Sequence, residues 1–148
     1  MQNINQKLVD DFGNEWNSYR QNSIRNDLKI GFDEYFHLMP DKFITKETIG
    51  FDAGCGSGRW AKFICPKIKQ LTCIEPSKKA IQVAKNNLQN YKNCIFENCS
   101  INDSKIANDS QDFGYCLGVL HHIPDTESAL ESCVKKLKKK SPLLVYLY

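Results

Sequence analysis

No apolar run in this 148-residue sequence approaches the ~20 residues that span a bilayer; the longest, Leu143 to Tyr148, comes at the very end. The opening stretch, MQNINQKLVDDFG, has neither a basic leader nor an apolar h-region. Nothing in it predicts export, and a cytoplasmic location is the expectation. No CxxC occurs and the three histidines are not spaced to complete a zinc site, so no metal centre is predicted. Repeats and low-complexity tracts are missing as well, apart from one lysine cluster.

What is present fits one globular domain: 41% hydrophobic and 25% charged residues, at a length usual for a single folding unit. Seven cysteines form an odd set with no oxidising compartment implied, so they read as free thiols. Cys65, Cys73 and Cys116 fall in apolar stretches, where a thiol packs as a small hydrophobe. The net charge of +3 comes from Lys135, Lys136, Lys138, Lys139 and Lys140; without them 15 basic residues face 17 acidic ones. A single cluster of this kind reads as the solvated end of a helix, where cations suit the dipole. It is no distributed basic face, and no nucleic-acid partner is predicted.

From Thr48 onward, short apolar runs alternate with helical patterns. Strands are predicted at 48–52, 70–75, 93–97, 112–118 and 143–148. Between them lie a helix over 57–66, with Trp60, Phe63 and Ile64 on one face, and another from the N-cap Ser77 to Leu88. A third, opened by Asp125-Thr126, runs to about Lys139 with Ala129, Leu130, Cys133, Val134 and Leu137 inward. Strands apolar almost throughout, each followed by a helix, predict an α/β fold: a doubly wound parallel sheet. Residues 1–40 are set apart as an N-terminal helical arm or lid, and 41–148 as the main domain. Within the arm, 27–39 is predicted helical and stopped by Pro40. The aromatic stretch from Phe12 to Tyr19 reads as a segment lying across the domain.

The strongest local signal is Asp52-Ala-Gly54-Cys-Gly56-Ser-Gly58, directly between a strand and a helix. Glycines at alternate positions permit a tight turn and bring backbone N–H groups close to a ligand. Glu75 ends the next strand, 17 residues after Gly58, where an acid accepts hydrogen bonds from the ribose hydroxyls of an adenosine. The spacing differs from the GxGxxG loop that seats a pyrophosphate, and Asp52 in front would repel phosphate and attract an ammonium. An adenosine carrying a cationic amino-acid end is therefore the expected ligand, which counts against a nicotinamide dehydrogenase.

The runs IGFDAGCGSGRWA, CIEPS and DFGYCLGVLHHIPD resemble the class I S-adenosylmethionine-dependent methyltransferases, in particular the small-molecule group called type 11. That resemblance covers about residues 48–148 and implies a Rossmann-like fold of seven strands, five of which are present here. It implies that S-adenosylmethionine is the cofactor and that a small molecule is the methyl acceptor. Position by position, Gly54 to Gly58, with Cys55 and Gly56 between them, would cradle the methionine part, with Asp52 near its amino group. Ala53 would stand beside it among the cofactor-binding residues. Arg59, opening the next helix, either reaches the cofactor carboxylate or stays exposed. Glu75 would hold the ribose, and Pro76, Ser100 and Ile101 would border the adenine. Leu117 and Gly118 would offer carbonyls to the ammonium, while Tyr19, with Trp16 and Arg20, would close over the site.

Ser100 stands where the family commonly has Asp, and Lys138-Lys-Lys-Ser141 replaces a glycine-containing turn. No catalytic base is assigned; His122 is the candidate, against a packing role for both His121 and His122. The strand count leads to the expectation of a C-terminally shortened methyltransferase whose last strand, an exposed apolar edge, is protected by self-association or a partner. The alternative is a truncated cofactor-binding or partner module without turnover.

Overall fold

The structure, a computed structural model, describes residues 3–18 and 25–148. Strands β1 (Ile49–Ala53), β2 (Gln70–Ile74), β3 (Cys94–Glu97), β4 (Phe113–Leu117) and β5 (Leu143–Tyr146) form one sheet in the order β3-β2-β1-β4-β5. Every pairing is parallel. Helices α1 (Gln6–Ser18), α2 (Arg25–Phe36), α3 (Ala61–Ile64), α4 (Lys78–Asn87) and α5 (Thr126–Lys136) complete the element list, with short 3₁₀ turns between.

Both faces of the sheet are covered, as a parallel sheet requires. On one, Phe32 and Phe36 of α2, Ile64 of α3 and Ala84 of α4 pack with Leu71, Cys73 and Tyr115. On the other, Ala129 and Cys133 of α5 pack with Phe51, Ile74 and Cys116. The register places Phe113 opposite Gly50 and Phe51 opposite Gly114. Each ring lies over the facing glycine, so a Cβ there would come within 2.4 Å or 2.3 Å of ring carbon. The chain steps outward from β1 to β3 and then crosses to β4 on the far side of β1. That reversal opens a crevice at the carboxyl ends of the central strands, the usual ligand position in open α/β sheets.

Two helices differ from expectation. The helix predicted over 57–66 is a run of turns followed by the single turn α3 and a 3₁₀ turn, Cys65–Lys67. Gly56 and Gly58 take φ of 53° and 76°, which a right-handed helix cannot include. The regular helix therefore begins only at Ala61, three residues past Gly58. Helix α5 stops at Lys136 because Leu137 bridges to Gln111, and Lys138 N–H donates to the Gln111 carbonyl at 2.8 Å. Its sheet-facing stripe is Ala129, Cys133 and Lys136; Leu130 and Val134, expected inward, are 39% and 54% exposed. Lys136 is only 5% exposed, and its ammonium donates to the Ser132 carbonyl at 3.3 Å. The lysine cluster is thus not one solvated helix end.

Helix α4 matches its prediction. The Ser77 hydroxyl caps it by accepting from Ala80 N–H at 3.3 Å, and Ala80, Ile81, Ala84 and Leu88 are buried. Helix α1 lies on α4 so closely that a Cβ at Gly13 would come within 2.4 Å of the Ser77 hydroxyl oxygen. Lys79 donates to Asn14 at 2.7 Å nearby. The other end of the segment is held by Asn3, whose side chain donates to the Asp125 carbonyl at 2.7 Å and accepts from Asp125 N–H at 2.8 Å. Tyr19, Arg20 and the Trp16 side chain lie outside the described residues. All seven cysteines are free thiols, and five are buried.

Candidate functional site

The crevice holds a cavity of about 180 Å³, walled by the ends of β1, β2 and β4 and roofed by α1. Its chemistry begins with Asp52, the penultimate residue of β1. The register sets Asp52 beside Tyr115 of β4, and both side chains point into the same buried face. Asp52 is 2% exposed and its Oδ2 has no hydrogen-bond partner among the described residues. Burial drives its carboxyl up from 3.8 to about 8; the neighbouring Tyr115 hydroxyl and Arg59 oppose that rise, and Glu75 reinforces it. An uncompensated acid in this position is costly, and a cation delivered to it would relieve the cost.

The loop that follows is wound by its own backbone. Gly54 and Cys55 N–H groups both donate to the Ile74 carbonyl, at 2.8 and 3.0 Å, and Gly58 N–H donates to the Cys55 carbonyl at 2.8 Å. Gly56 N–H donates to Glu75 Oε2 at 3.0 Å. These N–H groups are consumed inside the protein, which corrects the expectation that they approach a ligand directly. Gly54 has φ of 80°, and a Cβ there would stand 2.5 Å from a Val119 methyl. The glycines thus let neighbouring side chains close against the loop. A loop with its donors turned inward offers no nest for a phosphate.

Glu75 also accepts from Ser77 N–H at 2.9 Å through Oε1, so each oxygen keeps one lone-pair direction for the cavity. Burial raises its pKa while those two backbone bonds lower it; burial is the larger influence. Pro76 lies beside it on the wall. The Ser100 hydroxyl donates to Asp103 Oδ2 at 2.7 Å and accepts from Asp103 N–H at 3.2 Å. Its proton is committed, so toward the cavity Ser100 presents only an acceptor. Ile101 supplies an apolar patch next to it.

Cys55, Arg59, Leu117 and Gly118 complete the set of sequence-predicted residues that the fold gathers at this cavity. The Arg59 guanidinium lies over the Trp60 ring, 4.6 Å from its centroid. Ala53 is not among them; it faces the opposite side of the sheet, packed in the α5 cluster. Tyr19 lies outside the described residues. Sequence reasoning missed the α1 residues Leu8, Val9 and Phe12, and also Tyr148, all of which line the cavity. The stretch from Phe12 was read as lying across the domain, but nothing local says which surface an N-terminal helix will cover.

The fourth wall carries imidazoles. His122 Nε2 lies 3.2 Å from the Tyr148 hydroxyl, and the Phe12 ring packs on His122 with centroids 5.2 Å apart. Burial and the adjacent His121 hold the His122 imidazole below its ordinary 6.5. Both His121 ring nitrogens are buried without a partner among the described residues.

Known proteins share this fold. The family model described as a methyltransferase domain matches residues 51–145. A ubiquinone biosynthesis O-methyltransferase from Nitrosomonas europaea is 29% identical over 117 residues, 76% of this chain and 47% of that protein. Its counterpart from Alkalilimnicola ehrlichii is 29% identical over 89 residues, 59% of this chain and 36% of that protein. The chain thus spans less than half the length of these curated relatives. Phosphoethanolamine N-methyltransferase 1 of Haemonchus contortus, solved with phosphoethanolamine and S-adenosylhomocysteine, superposes with a TM-score of 0.70 at 14% identity. The match covers 90% of this chain and 30% of that one, and at this identity it shows the shared fold.

Proposed function

The chain belongs to the methyltransferase-domain family, and from that premise we propose that its cavity binds S-adenosylmethionine for methyl transfer to a small-molecule acceptor. The observation that carries the reading is Asp52: a buried carboxyl with an unpartnered oxygen at the cavity floor, beside a loop whose N–H groups are already committed. That arrangement suits an ammonium and rejects a phosphate, as S-adenosylmethionine requires and a dinucleotide does not.

When bound, S-adenosylmethionine supplies a methyl group made electrophilic by its sulfonium. Asp52 is the residue that would hold the ammonium, and Arg59 the carboxylate. Glu75 would accept from the ribose hydroxyls with its remaining lone pairs, and Ser100, a pure acceptor, would take an adenine N–H. Leu8, Val9 and Phe12 of α1 exclude water from above. Positioning of this kind is a large part of what a displacement needs. The O-methyltransferase names of the two curated relatives support oxygen as the acceptor atom. Self-association belongs to the same proposal, supported by the exposed Tyr146 and Leu147 at the β5 edge; light scattering that finds only monomer would remove it.

Calorimetric titration with S-adenosylhomocysteine tests the central claim. Micromolar binding, with no response to NAD, is expected; binding of NAD alone would overturn it.

A further inference from the structure

Two buried polar side chains lie next to each other beneath the cavity, each with an atom left unbonded. Asp52 and Tyr115 are register partners on the adjacent parallel strands β1 and β4, so their side chains leave the sheet side by side on one face. They are 2% and 0% exposed, and neither Asp52 Oδ2 nor the Tyr115 hydroxyl has a hydrogen-bond partner among the described residues. The Tyr115 ring sits in an apolar setting. Phe36 of α2 stands edge-on to it with centroids 5.0 Å apart, and Ile64 and Cys73 belong to the same cluster. A phenylalanine would fill that space and leave no hydroxyl to desolvate, so for stability alone the hydroxyl is unfavourable. The group it can serve is Asp52, which also lines the cavity.

We propose that Tyr115 is a positioning residue for the methyl donor, its hydroxyl donating to the Asp52 carboxylate from beneath while the donor's ammonium binds the same carboxylate from the cavity. The proposal rests on the reading of the cavity as an S-adenosylmethionine site. In the empty protein burial holds the Asp52 carboxyl protonated at neutral pH. When an ammonium arrives, that proton leaves for solvent, and the new carboxylate takes two charge-assisted bonds, one from the ligand and one from Tyr115. An ionised carboxylate has about four lone-pair sites, so the two donors do not compete. A phenol suits this place because it donates without carrying charge. A lysine or arginine there would repel the ammonium.

The pH dependence of ligand binding follows. Besides Tyr115, the titratable groups facing Asp52 are Glu75 after β2, Arg59 beyond the loop, and the thiols Cys55, Cys65, Cys73 and Cys94. Helices α2 and α4 pack on this face through Phe36 and Ala84, which carry no charge. The Tyr115 hydroxyl opposes the rise that burial imposes on the Asp52 carboxyl. Without it the carboxyl climbs above about 8, and ammonium binding, which needs the carboxylate, strengthens only at higher pH.

Calorimetry on the wild type, Tyr115→Phe, Asp52→Asn and the double variant tests this with two probes. One is S-adenosylhomocysteine; the other is 5′-methylthioadenosine, which has the nucleoside and a thioether but no amino-acid end. Tyr115→Phe is expected to weaken S-adenosylhomocysteine about tenfold and 5′-methylthioadenosine by no more than about twofold. In the Asp52→Asn background it should change neither by more than about twofold. The rise of S-adenosylhomocysteine affinity toward about pH 8 should move upward in Tyr115→Phe, with no such move for 5′-methylthioadenosine. The melting temperature of the empty variant should match or exceed that of the wild type. Equal weakening of both probes, an undiminished effect in the Asp52→Asn background, an unmoved pH profile or a lowered melting temperature overturns the role of Tyr115. Tight wild-type binding of S-adenosylhomocysteine that Tyr115→Phe leaves unchanged overturns that role alone. A wild type that binds S-adenosylhomocysteine no more tightly than 5′-methylthioadenosine overturns the donor reading and the Tyr115 role together.

Discussion

The two ends of the cavity are built by different means. At the glycine-loop end, backbone groups close on one another within a few residues, and Asp52 at the floor keeps one oxygen without a partner among the described residues. At the imidazole end, side chains from α1, the turn after β4 and Tyr148 beyond β5 meet through ring contacts and one side-chain hydrogen bond. The first end is stiff because N–H groups and carbonyls satisfy each other. The second depends on surfaces brought together late in the chain. Changes to the loop glycines should therefore cost both stability and donor binding, whereas changes at the rim should leave the fold intact.

Gly54→Ala breaks the loop end hardest. It forces a Cβ onto a left-handed residue and into the Val119 methyls, at about 2–4 kcal/mol. Chemical denaturation should show that loss, and calorimetry the loss of S-adenosylhomocysteine binding.

Asp52→Asn separates stability from binding. Removing the buried acid should stabilise the empty protein near pH 7 by about 1–3 kcal/mol. It should also weaken S-adenosylhomocysteine by more than about tenfold, since a charged hydrogen-bond partner is lost. The pH dependence follows from the raised carboxyl. Folded Asp52 titrates at about 8 and its unfolded form near 3.8, so its neutral form stabilises the empty fold fully below pH 3.8. That contribution is lost as pH rises toward 8. Affinity for an ammonium ligand runs the other way, strengthening up to pH 8 and levelling above it. The Asn variant should lack both slopes.

Lys140→Gly sharpens the comparison from outside the cavity. Lys140 holds φ of 68° in the turn before β5, where the family resemblance led one to expect glycine. Glycine should stabilise the protein by about 1 kcal/mol, read as a raised melting temperature, with donor binding unchanged. Tyr148→Ala, at the rim, should shift stability by less than about 0.5 kcal/mol.

Much of this was legible along the chain. The five strands were placed to within two residues at each end, because apolar runs and their breakers are local signals. Ser77 and Asp125 were recognisable caps, and both accept the expected backbone N–H. The Asp52–Gly58 loop and Glu75 stood out through spacing alone. Less legible was the helix after the loop: Trp60, Phe63 and Ile64 keep helical spacing, yet Gly56 and Gly58 take left-handed angles and shorten it to one turn. Leu130 and Val134 had the right period, but α5 ends early at Lys136 because Lys138 bonds across to Gln111.

By itself, the sequence determined the sheet, its parallel sense and the position of the residues proposed to bind the methyl donor, since each depends on periodicity, glycine and charge within short windows. Only the tertiary structure decided which hydrogen bonds the loop spends inward, that Ala53 faces away from the cavity, and that Phe12, His122 and Tyr148 meet. Phe12 and Tyr148 lie near opposite ends of the chain and touch the same imidazole. No local pattern encodes that contact; it follows from α1 resting on α4 and from β5 pairing beside β4.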